Sequence, residues 1–333
     1  MVKKVAIIGA GINGISCAVQ LQNKFKSAVE VVVISEEFSP NTTGDGSAGL
    51  WGPYLMGKTP NDKIFKWSKS MHDFLKEIWL SDKAGEAGVC LIPCIRVTLE
   101  DGNIWEDIVY GCQHLNQKQL DSLNEGRARK FTRGHFFTTF TSEPLKFIPF
   151  LTKTFLENGG KFVKRRIQNL NEFSHSSEFD IIVNCTGLGS KTIVGDTKMH
   201  AIRGQVARVK ANWLYCAFID EADDGNYIIP NTESVVLGGT HQIDDFNTSI
   251  YPEDSEFIFK GCKELLPGLK HVPTLFQWAG LRPGRNDVRL EPEILSNGKI
   301  IIHNYGHGGC GVTVAWGCAE DVVKIVQTQF SKL

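Results

Sequence analysis

Apolar residues run unbroken from Val5 to Ile8, stop at Gly9, and resume at helical spacing through Ile12 and Ile15. Such a run reads as a strand buried on both faces, and the spacing after it as an amphipathic helix. A second β-branched run, Val29-Glu30-Val31-Val32-Val33-Ile34, follows at the distance of a β-α-β unit. The same pattern, a buried strand running into a glycine turn, returns at Phe179-Asp180-Ile181-Ile182-Val183-Asn184-Cys185-Thr186-Gly187 and at Ile300-Ile301-Ile302 through Gly306. Helical periodicity predicts helices over 62–80, 144–158, 253–266 and 314–329, the second stopped by Gly159-Gly160. Strands are expected across 89–110, with Asp101-Gly102 as a hairpin turn, at Phe162-Val163, and across 206–239.

β-α-β units at both ends and in the middle, separated by strand-rich stretches, predict an α/β fold. A Rossmann-like nucleotide domain (1–50, 145–195 and 280–333) is expected to be interrupted by an antiparallel β-rich substrate domain (51–144 and 196–279). The chain of 333 residues is long enough for two such cores.

The opening turn carries the first chemistry. Gly9 lets the chain turn, Gly11 offers no Cβ to hold a pyrophosphate away, and Gly14 lets helix and strand pack closely. Ala10, Ile12 and Asn13 complete a loop whose free amides face the phosphates. Ser35-Glu36-Glu37, at the end of the second strand, places a carboxylate within reach of a ribose diol. This geometry suits NAD as well as FAD, which leaves a nicotinamide-dependent dehydrogenase and a non-catalytic flavin-binding protein as alternatives to a flavoenzyme. Asn41-Thr42-Thr43-Gly44-Asp45-Gly46-Ser47-Ala48-Gly49-Leu50-Trp51-Gly52-Pro53-Tyr54 is rich in small and hydroxylated residues, which suits a loop wrapped around a ligand.

Charge and composition narrow the partners. A net charge of −1, with basic residues in short runs such as Lys161-Lys164-Arg165-Arg166, argues against nucleic acid or an anionic membrane as partner. No apolar stretch reaches bilayer length. Nine scattered cysteines suggest reduced thiols in an intracellular protein, and Cys90 and Cys94 lack the second pair that a zinc site needs. No metal is expected. Ser331-Lys332-Leu333 matches the tripeptide read by the peroxisomal import receptor at a free C-terminus, so a peroxisomal location is expected.

Six motifs occur in order along nearly the whole chain: Gly9-x-Gly11-x-x-Gly14, Thr42-Thr43 through Ala48-Gly49-Leu50-Trp51, Val183-Asn184-Cys185-Thr186-Gly187, Arg203-Gly204-Gln205, Gly280-Leu281-Arg282-Pro283, and His303-Asn304-Tyr305-Gly306-His307-Gly308-Gly309. With them the chain resembles the D-amino-acid oxidase and D-aspartate oxidase family of FAD enzymes. The resemblance implies that Arg282 holds the substrate α-carboxylate bidentately, that Tyr227 hydrogen-bonds the same group, and that the Gly309 carbonyl takes the amine. Hydride would pass from Cα to the flavin with no side-chain acid or base, giving an imine that hydrolyses to a 2-oxo acid and ammonia, while oxygen becomes hydrogen peroxide. FAD would be held by Gly9, Ala10, Gly11, Ile12, Asn13, Gly14, Ser35, Glu36, Thr42, Thr43, Ala48, Gly49, Leu50, Ile167, Thr186, and the turn of Gly308, Gly309, Cys310, Gly311, Val312 and Thr313. His303 and His307 are read as structural.

The branches of the family differ at the substrate side chain. Ala84-Gly85-Glu86-Ala87-Gly88-Val89 and Gly187-Leu188-Gly189-Ser190 resemble the D-aspartate branch, as does the short stretch before Tyr227. The Gly49–Tyr54 and His303–Gly309 segments resemble the neutral branch. A second carboxylate needs a second cation, and the position after Gly238-Gly239-Thr240 is His241. The position where the D-aspartate branch carries another arginine is Asp220. The expectation leans to acidic D-amino acids, with neutral ones as the alternative; whether the chain is a monomer or a homodimer stays open.

Overall fold

The structure is a computed structural model and describes residues 2–97, 105–174, 176–222 and 225–331. β1 (Lys3–Ile8) turns at Gly9 into α1 (Ile12–Phe25), and β2 (Val29–Ser35) returns parallel to β1 with Val5 opposite Val31. α2 (Asn61–Trp79) and α3 (Ala84–Ala87) lead to β3 (Val89–Val97), β4 (Tyr110–His114), α4 (Gln117–Asn124) and β5 (Gly134–Ser142). α5 (Pro144–Glu157), β6 (Lys161–Lys164), β7 (Ile181–Asn184) and α6 (Ser190–Ile193) follow. β8 (His200–Val209), β9 (Ala217–Asp220), β10 (Tyr227–Pro230), β11 (Val235–Gly238), β12 (Gln242–Ile243), α7 (Pro252–Leu265) and β13 (Thr274–Gly284) form the next unit. The last elements are β14 (Arg289–Ile294), β15 (Ile300–Tyr305) and α8 (Gly311–Phe330).

Among the described residues the strands form two sheets. The first has six strands in the order β14-β15-β7-β1-β2-β6, all parallel except β14. Its strands alternate between two cores. Val5, Ile7, Val31, Val33, Ile181, Val183 and Ile302 share one with residues of α1, α5 and α8. Ala6, Ile8, Val32, Ile34, Ile182 and Ile301 share the other with Ile167, Leu170, Phe173 and Phe179. Burial on both faces explains why these strands are apolar throughout rather than at every second residue.

The second sheet has nine strands, with β12-β8-β11-β10-β9-β3-β5-β4 in order and β13 on the other edge of β8. Its pairings are antiparallel apart from β3 with β9. Two expectations change here. β3 and β4 do not pair with each other; both pair with β5, whose sequence lies downstream of them. Alternating residues specify a strand but not its neighbour, and Asp101-Gly102 lies outside the described residues. β13 stays paired with β8 as far as Gly284 opposite His200, so the sequence boundary at 280 falls within a continuous strand.

Candidate active site

A cleft of about 970 Å³ opens between the two sheets, at the carboxyl ends of β1, β2 and β7. This is where a doubly wound sheet exposes its strand ends to a ligand.

The side along the first sheet is built mainly from backbone. Gly9 has φ +104°, and a Cβ there would stand 2.5 Å from the Cys185 carbonyl oxygen. A Cβ on Gly14 would stand 1.9 Å from the Gly9 carbonyl oxygen, so that glycine serves the packing of helix on strand. Gly11 differs: a Cβ there would meet nothing within 4 Å, because its face is the open cleft. Gly11 caps α1 without a side-chain cap, and the first turn of α1 has no acidic residue, which leaves its amides and the positive end of the dipole directed at a ligand. Asn13 Oδ1 and Ser47 Oγ, on two cleft-lining residues, are buried without a hydrogen-bond partner.

The 41–50 loop is fixed from two directions. Asp45 is buried and accepts hydrogen bonds from the Thr42 amide (2.9 Å), Thr42 Oγ1 (2.6 Å) and Ser39 Oγ (2.6 Å). From the second sheet, Arg208 donates to the Ser47 carbonyl at 3.1 Å and Asn231 Nδ2 to the Ala48 carbonyl at 3.0 Å. The loop that lines the nucleotide side is thus set by the sheet that lines the other.

The side along the second sheet is built from side chains. Pairing aligns Arg96, Ile219, Tyr227, Gly238, Val206 and Trp278 in one row across six strands. Residues in one row share a face, and all of them but Gly238 line the cleft. On β13 the next positions on that face are Gly280 and Arg282. Gly280 pairs with Gly204, and both lack a side chain where Trp278 and Arg282 lie: a Cβ on Gly280 would be 2.0 Å from the Trp278 ring, and one on Gly204 2.2 Å from the Arg282 guanidinium. The guanidinium donates to the Thr240 carbonyl at 2.9 Å and contacts the Tyr227 hydroxyl. Burial raises the Tyr227 pKa above its ordinary value, against the partial pull of Arg282, so the phenol stays protonated.

Of the residues expected from sequence, Gly9, Ala10, Gly11, Ile12, Asn13, Ser35, Glu36, Thr42, Thr43, Ala48, Gly49, Leu50 and Thr186 line the cleft. Gly308, Gly309, Gly311, Val312 and Thr313 line it as well, as do Tyr227, His241 and Arg282. Gly14, Ile167 and Cys310 are not on its wall; Ile167 packs in the core on the far side of the first sheet, and Cys310 packs with Met56, Trp67 and Val314. Gly311–Thr313 form the first turn of α8 rather than a separate loop.

His303 and His307 keep a structural role. His303 Nε2 lies 2.9 Å from Glu293 and its Nδ1 3.2 Å from Asn184, while His307 Nε2 lies 3.0 Å from Asn304 Oδ1. Burial lowers the pKa of both, that of His307 to about 4. Sequence reasoning missed Arg96, Trp105, Ile219, Glu221 and Trp278, all on the cleft wall. The one signal was an arginine near the end of the apolar 89–97 strand.

The model of the FAD-dependent oxidoreductase family matches residues 4–325. The chain belongs to this family. A D-amino acid oxidase of Dugesia ryukyuensis is 38% identical over 331 residues, covering 97% of each chain. The human D-aspartate oxidase is 36% identical over 330 residues, covering 97% of this chain and 94% of that one. Among solved structures, glycine oxidase from Geobacillus kaustophilus superposes with a TM-score of 0.79 over 98% of this chain and 95% of that one, at 14% identity. The protein is therefore an FAD-dependent oxidoreductase, and FAD is its cofactor. The open face of Gly11, the uncapped start of α1 and the unpartnered Asn13 and Ser47 oxygens fit that group.

Proposed function

We propose that this chain oxidises D-amino acids to 2-oxo acids with release of ammonia and hydrogen peroxide. The observation that carries the reading is the Arg282–Tyr227 pair, which faces a cleft whose other wall is lined by glycine turns. Arg282 lies flat along Gly204, is steadied by the Thr240 carbonyl, and presents a planar fork suited to a carboxylate. Tyr227, kept protonated by burial, donates to the same carboxylate. The Gly309 carbonyl takes the substrate amine, and with carboxylate and amine so held only one hand at Cα would turn its hydrogen towards the nucleotide wall. FAD held along the glycine turns of Gly9 and Gly11 would supply the hydride acceptor, with oxygen as the final oxidant. The remaining contribution of the chain is positioning, with no side-chain base.

We favour acidic D-amino acids as substrates. His241 lines the cleft next to Thr240, and Asp220, which by itself would repel a dicarboxylate, pairs with Arg129 at 2.8 Å. The alternative, neutral D-amino acids, draws on the apolar wall of Ile219, Phe137 and Trp105. A peroxide-coupled panel of acidic, neutral and basic D-amino acids separates the two: the account expects the highest kcat/KM with D-aspartate or D-glutamate, and a higher value with D-alanine or D-methionine would overturn that preference. Ser331-Lys332-Leu333 supports delivery to the peroxisome. A fluorescent protein fused ahead of the chain would colocalise with a peroxisomal marker, and diffuse fluorescence would reject that address.

A further inference from the structure

The row that carries Tyr227 continues beyond it. One strand away stands Ile219, and two strands away Arg96. Neighbouring strands lie ~4.8 Å apart, so the Cα atoms of Tyr227 and Arg96 are separated by about 10 Å across the floor of the same cleft. Arg96 therefore lies within reach of the side chain of a substrate whose carboxylate rests on Arg282 and Tyr227, with Ile219 between them.

Arg96 is held in place. Its guanidinium lies 4.4 Å from the centre of the Trp105 ring, and one terminal nitrogen pairs with Glu221. Trp105 is buried and Glu221 half-buried, and both line the cleft. The Arg96 side chain is 11% exposed, yet its Nε is buried without a hydrogen-bond partner. Guanidinium has five donors, and the Glu221 pair uses one edge of the fork. A buried donor without a partner is costly, and a ligand acceptor relieves that cost.

We propose that Arg96 is a specificity-determining residue that binds the side-chain carboxylate or carboxamide of the substrate, with Glu221 and Trp105 fixing its orientation. The proposal rests on the D-amino-acid oxidase reading of this cleft. Arg96 is largely shielded from solvent, whereas His241 is exposed, so the charge on Arg96 is little screened. Glu221 competes with the substrate for the guanidinium and so moderates acidic preference.

The test is a specificity ratio measured on holoenzyme. Arg96→Gln is expected to lower the ratio of kcat/KM for D-glutamate to that for D-alanine at least tenfold. Glu221→Gln is expected to raise it. Retained flavin absorbance and an unchanged melting temperature confirm the fold. A merely structural role would depress both substrates alike and would not give opposite signs in the two variants. An unchanged ratio in Arg96→Gln, or a fall in Glu221→Gln, overturns the proposal. Dissociation constants of glutarate and butyrate, read from the flavin spectrum, decide the matter independently of turnover. Arg96→Gln should weaken glutarate at least tenfold relative to butyrate, and an equal effect on both contradicts the assignment even if no D-amino acid is oxidised.

Discussion

The two walls of the cleft are made by different means. The nucleotide wall has a local centre: one turn, one helix start and one strand end within residues 9–36 present backbone amides and a bare glycine face, and the 41–50 loop and the 308–313 turn flank them. The substrate wall is assembled from six strands that span residues 89–284, and it presents side chains in register. Backbone built on a turn tolerates change around it but not at its glycines. A cross-strand row tolerates change along each strand but not at the aligned position. The difference predicts which property fails when each wall is altered.

The largest expected effect is on the substrate wall. Arg282→Ala removes the fork and leaves the nucleotide side intact, so kcat/KM for any D-amino acid should fall about 10³-fold, roughly 4 kcal/mol, with FAD still bound. Steady-state kinetics with a flavin absorbance check measures this, and near-normal kcat/KM would remove Arg282 from substrate binding.

Next comes acid stability. His72, packed against Trp51 and Phe140 at ring distances of 5.0 and 4.9 Å, and His307 behind the 308–313 turn both have pKa values lowered by burial to about 4. A histidine whose folded pKa lies below its unfolded value of about 6.5 is stabilising above that value, and the benefit is lost as pH falls towards 4. Each contributes up to ~3 kcal/mol of that loss. Melting temperature should therefore drop steeply between about pH 6.5 and 4, and His72→Phe should flatten the slope. An unchanged slope in that variant would show that His72 is charged in the fold.

On the nucleotide wall, Gly11→Val should weaken FAD more than tenfold while leaving the melting temperature of the apoprotein close to that of the parent, since its Cβ meets nothing in the chain. Titration of apoprotein with FAD tests it. If Gly11→Val destabilises the apoprotein as a Gly14 substitution should, Gly11 is a packing glycine and the cradle is misplaced.

The smallest effect belongs to His241. Its exposure limits it to a few-fold influence, so His241→Ala should reduce kcat/KM for D-aspartate by roughly threefold relative to D-alanine. Equal losses for both would take His241 out of side-chain recognition.

How much was legible follows from the same contrast. Gly9, Gly11, Gly14 and Glu36 lie within 28 residues of one another, and the strand-turn-helix pattern announces their geometry. Periodicity marked α2, α5, α7 and α8, and α5 ends at Glu157, with Asn158 as its C-cap before Gly159-Gly160, as its sequence announces. Arg282 and Tyr227 came only with a family resemblance. Nothing local says that Tyr227 stands beside Ile219 and two strands from Arg96, because register is a tertiary property. Ile167 shows another limit: nothing local says that its side chain packs in the core with Ile8, Ile34 and Phe173. The period-2 alternation that places side chains on one face cannot be phased from a short stretch such as Ile167 with its charged neighbours.

The most direct test of the central claim is anaerobic reduction of the bound flavin by the two enantiomers of one amino acid. The account predicts that D-aspartate or D-alanine bleaches the visible flavin band in wild type, that the L-enantiomer leaves it unchanged, and that Arg282→Ala slows bleaching about 10³-fold at equal substrate. Bleaching by the L-enantiomer, or an Arg282→Ala enzyme reduced as fast as wild type, would contradict it.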